Sequence, residues 1–398
     1  MLKARPADPY YPAMPMTHSK LAQLKAAVAK ERAKNEERLS RSLSFWESFI
    51  AQCNVFYSQW ANSHDHPALD KEAVQRANEA YETHFPSGLA EKAEEALLKP
   101  QEYKQRIAEY ERSIGVRPYV PFPTDQEWYS LIVNDPLRIE EELFVLDSLL
   151  DSRLRPSPGG LRIVDLGTGN GRMIFRVSGL LSGLMAEEFY RLFGLDRELV
   201  NLGDCSRKAE EKGMQSRCRW LTGDMARLPL QTASCDFILA ASCLNLVPEY
   251  ERPLVVLEML RCLQEGGEVI VSGPNERFSA EEYIKCTVAS NLDRYLLPWN
   301  LAQAQNLGQI GLIIDDLVRE RLDCSYLQTD QFCETLQIMD CQLQRLEHWP
   351  RKGAERNIFS GIRFQATAAT KRRMQRYERQ LRKEERTMHP RSERIQSV

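Results

Sequence analysis

Leu161-Arg-Ile-Val-Asp165-Leu166-Gly167-Thr168-Gly169-Asn170-Gly171 is the stretch on which the fold turns. A short apolar run ends on an acid, and three glycines then fall at alternate positions. This reads as a buried strand turning sharply into a helix. Glycine lets the backbone adopt conformations that other residues resist, and it lets a ligand approach the main chain. The start of the following helix presents unpaired N–H groups. The spacing Gly167-x-Gly169-x-Gly171 is not the G-x-G-x-x-G of dinucleotide-binding turns. Taken alone, it also fits a tight turn with no ligand.

The chain downstream repeats the strand–helix alternation. Strands are read at 191–196, 219–222, 235–242 and 268–272, with helices at about 172–185, 198–212 and 250–264. This order predicts an α/β doubly wound sheet of parallel strands. Near-continuous apolar character fits strands covered on both faces. Residues 342–348 and 357–366 read as two final strands. Two acids complete the pattern. Asp196 closes the second strand, and Asp224 follows the third in Leu221-Thr-Gly-Asp224-Met225-Ala226. Each acid alone would pass as a solvated loop residue. A glycine loop followed by acids at the next two strand ends is the order an adenosine-containing ligand needs at the carboxyl edge of such a sheet.

Val164-Asp-Leu-Gly-Thr-Gly-Asn-Gly171 resembles motif I of class I methyltransferases dependent on S-adenosylmethionine (SAM). Asp236–Pro248 and Leu257–Val271, the latter with its L-x-x-G-G turn, resemble their fourth strand, next helix and fifth strand. The likeness is to methyltransferase domains of type 11/25, over residues 155–275, and by strand pattern alone over 340–368. The resemblance implies a Rossmann-like, seven-stranded class I methyltransferase sheet, SAM as cofactor and methyl transfer as the activity. Carried over by position, Asp165, Gly167, Gly169 and Gly171 would cradle the methionine end. Asp196 would take the ribose, and Asp224 with the Met225 backbone would read adenine. Ser242 and Cys243 would line the methyl-transfer site, with Ser242 also against the cofactor. Ser242, Cys243 and Asn245 are the catalytic candidates, and the sequence names no base among them.

The acceptor is not legible. The Asn/Asp-Pro-Pro-Tyr/Phe motif of many amine and amide methyltransferases is replaced by Ser242-Cys-Leu-Asn245, which argues against N6-adenine and glutamine acceptors. Ser242–Pro248 also resembles a stretch of arsenite methyltransferases, with Cys286 as a second thiol. Their upstream cysteines are not evident, because only Cys53 precedes the glycine loop. A buried cysteine is more often a small hydrophobe. A small-molecule acceptor is the leading expectation. The alternatives are an inactive methyltransferase-like scaffold and an RNA-associated protein.

The rest of the chain frames this unit. Of 398 residues, 43% are hydrophobic, enough for a sizeable core, and the net charge of -3 excludes a globally basic nucleic-acid binder. The ten cysteines include no C-x-x-C pair, which argues against structural zinc and fits reduced thiols and a cytoplasmic location. No metal is expected, nor any membrane contact, since no apolar run nears the roughly 20 residues of a bilayer span. Residues 1–16 are proline-rich and read as flexible. Residues 17–155 read as helical, 156–370 as the methyltransferase unit, and 371–398 as a basic tail. A helical insertion at 279–338 reads as a lid, with Tyr283, Tyr295, Trp299 and Tyr326 as pocket or core aromatics. Basic helices at 20–41 and 371–386 leave an RNA partner open, although interleaved glutamates favour solvated faces. His64-Asp65-His66 reads as a polar loop rather than a metal site.

Overall fold

A computed structural model describes residues 19–40, 79–114, 136–152, 160–278, 283, 286, 326–350 and 357–388. Its centre is a seven-stranded sheet: β1 (Leu161–Leu166), β2 (Tyr190–Asp196), β3 (Cys218–Thr222), β4 (Cys235–Ala241), β5 (Leu263–Pro274), β6 (Cys341–Trp349) and β7 (Phe359–Ala366). The strand order is β3-β2-β1-β4-β5-β7-β6. The first five strands pair in parallel, and β7 runs antiparallel between β5 and β6. This is the expected Rossmann-like sheet. Its order reverses between β1 and β4, the switch point where open α/β sheets bind ligands beyond their carboxyl ends.

Alternation along the strands explains why both faces are covered. In β1, Leu161 and Ile163 join one apolar core, whereas Val164 and Leu166 join the other. In β4, Phe237 and Leu239 point to the first core, and Ile238 and Ala240 to the second. The first core is roofed by α3 (Pro136–Asp151) and α4 (Arg172–Leu184), together with helical residues 19–40 through Val28 and Leu39. The second is roofed by α1 (Leu89–Leu98), α2 (Pro100–Ile114), α6 (Arg252–Cys262), α7 (Thr329–Ile338) and α8 (Ala368–Met388). Helix α5 (Leu199–Glu211) links β2 to β3.

The described parts of the first 155 residues are helical, as expected. Proline at the first turn of α3 suits the fixed φ of that residue. Several boundaries moved, two of them for a visible reason. β5 begins at Leu263, five residues before the expected start, because Leu263 already pairs with Cys235. β4 stops at Ala241 because Ser242 turns into the left-handed region, at φ 50°. Of the expected insertion, Tyr283, Cys286 and residues 326–338 are described, and Thr329–Ile338 is helical. Tyr295, Trp299, Cys53 and the His64–His66 cluster lie outside the described residues. No described helix is long and apolar enough to cross a membrane. The basic run of α8 is partly spent on the fold. Lys371 Nζ donates to the carbonyls of Leu260 (2.8 Å) and Leu263, capping α6, and Arg373 pairs with Asp340 at 2.6 Å.

Candidate functional site

The turn after β1 leaves the sheet edge through a glycine in the left-handed region. Gly167 has φ 62°, and a Cβ there would stand 2.6 Å from the Cβ of Cys243. No other residue fits so close an approach of the loop to the end of β4. Gly171, at φ 79°, ends the loop as the N-cap of α4, where a Cβ would meet Phe175 at 2.8 Å. The loop is pinned from three sides. The Thr168 amide donates to Leu195 O at 2.9 Å, its hydroxyl donates to Asp165 Oδ2 at 2.7 Å, and the Gly169 amide donates to Asp196 Oδ2 at 2.8 Å.

Asp165, Gly167, Gly169, Asp196, Asp224, Met225, Ser242, Cys243 and Asn245 all line one cleft at the carboxyl ends of β1, β2 and β4. Gly171 does not; it shapes the turn from behind. Asp196 is buried and also accepts from the Glu198 amide at 2.9 Å. A carboxylate oxygen accepts more than one hydrogen bond, so these contacts leave capacity for ligand hydroxyls. Asp224 is more open, with 43% of its side chain exposed. It accepts from the Ala226 amide at 2.8 Å and pairs with Arg197 at 2.5 Å.

Asp165 is fully enclosed. Burial pushes its carboxyl up to about 7, reinforced by the charges of Asp196 and Glu141 and opposed by the Thr168 hydrogen bond. Three acids thus converge on a cleft in which a cationic ligand would be favoured. Asn245 Oδ1, on the same wall, is buried with no hydrogen-bond partner. A buried oxygen without a donor costs stability unless something supplies one. Both observations fit a bound polar cation.

Glu141 was missed in the sequence. Glu140, Glu141 and Glu142 stand together in α3, all buried, and each serves a different neighbour. Glu140 accepts from Asn35 Nδ2 at 2.8 Å, holding helix 19–40. Glu142 pairs with Arg172 and, at 3.0 Å, with Arg176 of α4; burial raises its carboxyl, and the two arginines pull it back. Glu141 reaches into the cleft. Its Oε1 accepts from Ser242 Oγ at 2.7 Å and Ser272 Oγ at 3.0 Å, and its Oε2 accepts from Arg138 Nη1 at 3.1 Å. Three adjacent glutamates inside a largely apolar helix were the available signal, since unpaired acids rarely enter a core.

Beside Glu141 the cleft becomes aromatic. Phe278 lies 4.9 Å from Tyr326 and 5.6 Å from Tyr283 between ring centres, and Phe359 closes the group 6.2 Å from Tyr283. Of the four expected aromatics, Tyr283 and Tyr326 therefore sit in this lobe.

The thiols do not form a pair. Cys243 belongs to one core and Cys286 to the other. Burial, with the charges of Asp165, Glu141 and Asp196, holds the Cys243 thiol well above its usual range, the opposite of what a metalloid-binding thiolate needs. Among the described residues no group of three or more His, Cys, Asp or Glu could hold a metal ion.

Residues 158–314 match the model of a family described as a methyltransferase domain. No curated protein matches the chain. Among solved structures, a SAM-dependent methyltransferase from Methanosarcina mazei is 14% identical, with 52% of this chain and 93% of that chain covered and a TM-score of 0.35. One from Aquifex aeolicus is 16% identical, with 61% and 100% covered and a TM-score of 0.34. The cyclase SpnF is 15% identical, with 56% and 80% covered and a TM-score of 0.37. At such scores the strand order and the family match, rather than these likenesses, carry the fold.

Proposed function

We propose, from the premise that this chain carries a class I methyltransferase-family domain, that it is a SAM-dependent methyltransferase acting on a small molecule. One observation carries the reading. A glycine loop and the acids Asp165, Asp196 and Asp224 meet in a single cleft at the switch point of the sheet. The proposed roles are those that the resemblance to class I methyltransferases implies, at residues the cleft brings together. The glycine turn Gly167–Gly169 lets the amino-acid end approach the main chain beside the Asp165 carboxylate, Asp196 accepts from the ribose hydroxyls, and Asp224 with the Met225 backbone meets adenine. When bound, SAM supplies an electrophilic methyl group on a sulfonium.

The protein's task is to align an attacking atom and keep water out. Ser242, Cys243 and Asn245 lie on the wall facing the glycine loop, where such an atom would stand. Calorimetry with SAM and S-adenosylhomocysteine tests the reading. Wild type binds both, and Asp196→Ala loses roughly 10–100-fold by removing a buried charge-assisted acceptor. Failure of wild type to bind either ligand refutes the proposal.

A further inference from the structure

The hydroxyl of Ser242 is committed. It donates to Glu141 Oε1 at 2.7 Å, and the same oxygen is held by Ser272 at 3.0 Å. A hydroxyl has one proton and two lone pairs. With its proton on Glu141, Ser242 can only accept from a group in the cleft. Asn245 Oδ1, three residues on, is a second acceptor with no donor. Arg138 is turned to the other oxygen of Glu141, at 3.1 Å, and stands 5.7 Å from the centre of the Phe359 ring. The neighbouring surface is the lobe of Phe278, Tyr283, Tyr326 and Phe359. Flat apolar walls favour a flat apolar body.

We propose that the methyl acceptor is a flat aromatic molecule bearing a neutral O–H or N–H, which donates to Ser242 Oγ, with Glu141 as the residue that positions Ser242. This rests on the SAM reading of the opposite half of the cleft. An anionic acceptor is disfavoured, because its oxygens would face the lone pairs of Ser242 and Asn245. In the transfer, the acceptor's lone pair forms the bond to the methyl carbon while the sulfur–carbon pair returns to sulfur. The acceptor's proton passes to Ser242 Oγ as the serine proton passes to Glu141 Oε1. Ser242 touches the reacting group; Glu141 acts through it.

Ligand-observed NMR titration of the full chain saturated with S-adenosylhomocysteine tests this with p-cresol, p-toluidine, toluene and p-toluate. Binding of p-cresol and p-toluidine at least about tenfold tighter than toluene is expected, with p-toluate weakest. Ser242→Ala should erase the margin over toluene. Glu141→Ala should do the same, and Glu141→Gln, whose amide oxygen still accepts from Ser242, should restore most of it. A merely structural role for Glu141 would not show that rescue. Preference for p-toluate, no binding of any probe, or a margin untouched in Ser242→Ala overturns the proposal. Failure of S-adenosylhomocysteine itself to bind overturns the reading beneath it instead.

Discussion

The two halves of the cleft are built in opposite ways. The half beneath β1, β2 and β3 is made of backbone and short acids, each within a few residues of a strand end: Asp165, Gly167, Gly169, Asp196, Asp224. The half beside β4 and β5 is assembled from distant pieces: Arg138 and Glu141 of α3, Ser242, Phe278, Tyr283, Tyr326 and Phe359. The first half is dictated by topology, which every member of such a fold shares. The second depends on which side chains α3 and the segment after β5 deliver, and there, on the proposed function, the acceptor would be selected.

If that division holds, substitutions on the two sides affect different measurements. Gly167→Ala is expected to have the largest effect on S-adenosylhomocysteine affinity, more than about 100-fold by calorimetry, because its backbone is left-handed and its Cβ would strike Cys243. Asp196→Ala follows at the roughly 10–100-fold given above. Acidity comes next. Asp165 titrates near 7 in the free protein, and binding the cation favours its ionised form. Affinity for SAM should therefore rise with pH through about 7 and level off above it. The gain is up to about tenfold between pH 6 and 8, and Asp165→Asn should flatten the profile.

Glu141→Ala should change S-adenosylhomocysteine affinity least, within about twofold. It should nevertheless cost about 1–3 kcal/mol in urea unfolding, since the Ser242 and Ser272 hydroxyls and Arg138 lose their shared acceptor. A large loss of cofactor affinity in Glu141→Ala would erase the distinction between the halves.

The same division explains what could be read from sequence. Near-continuous apolar strands with acids at their carboxyl ends are local patterns, so the sheet, and the glycine loop and acids that line the cleft, were legible from Leu161 to Val271. Gly171 shows the limit of the pattern. It belongs to the motif, yet it serves the turn into α4 rather than the cleft wall. Glu141 was illegible because its partners, Ser242 and Ser272, are 101 and 131 residues away. The sequence presents it only as one of three consecutive glutamates in a largely apolar helix. Tyr283 and Tyr326 were readable as aromatics, but their convergence with Phe278 and Phe359 depends on β7 lying antiparallel beside β5.

A crystal structure of the chain soaked with S-adenosylhomocysteine tests the central claim most directly. The account predicts the ribose hydroxyls on Asp196, adenine beside Asp224 and Met225, and the thioether sulfur facing Ser242 and the aromatic lobe. A ligand bound with its sulfur turned away from Ser242, or bound outside this cleft, would contradict it.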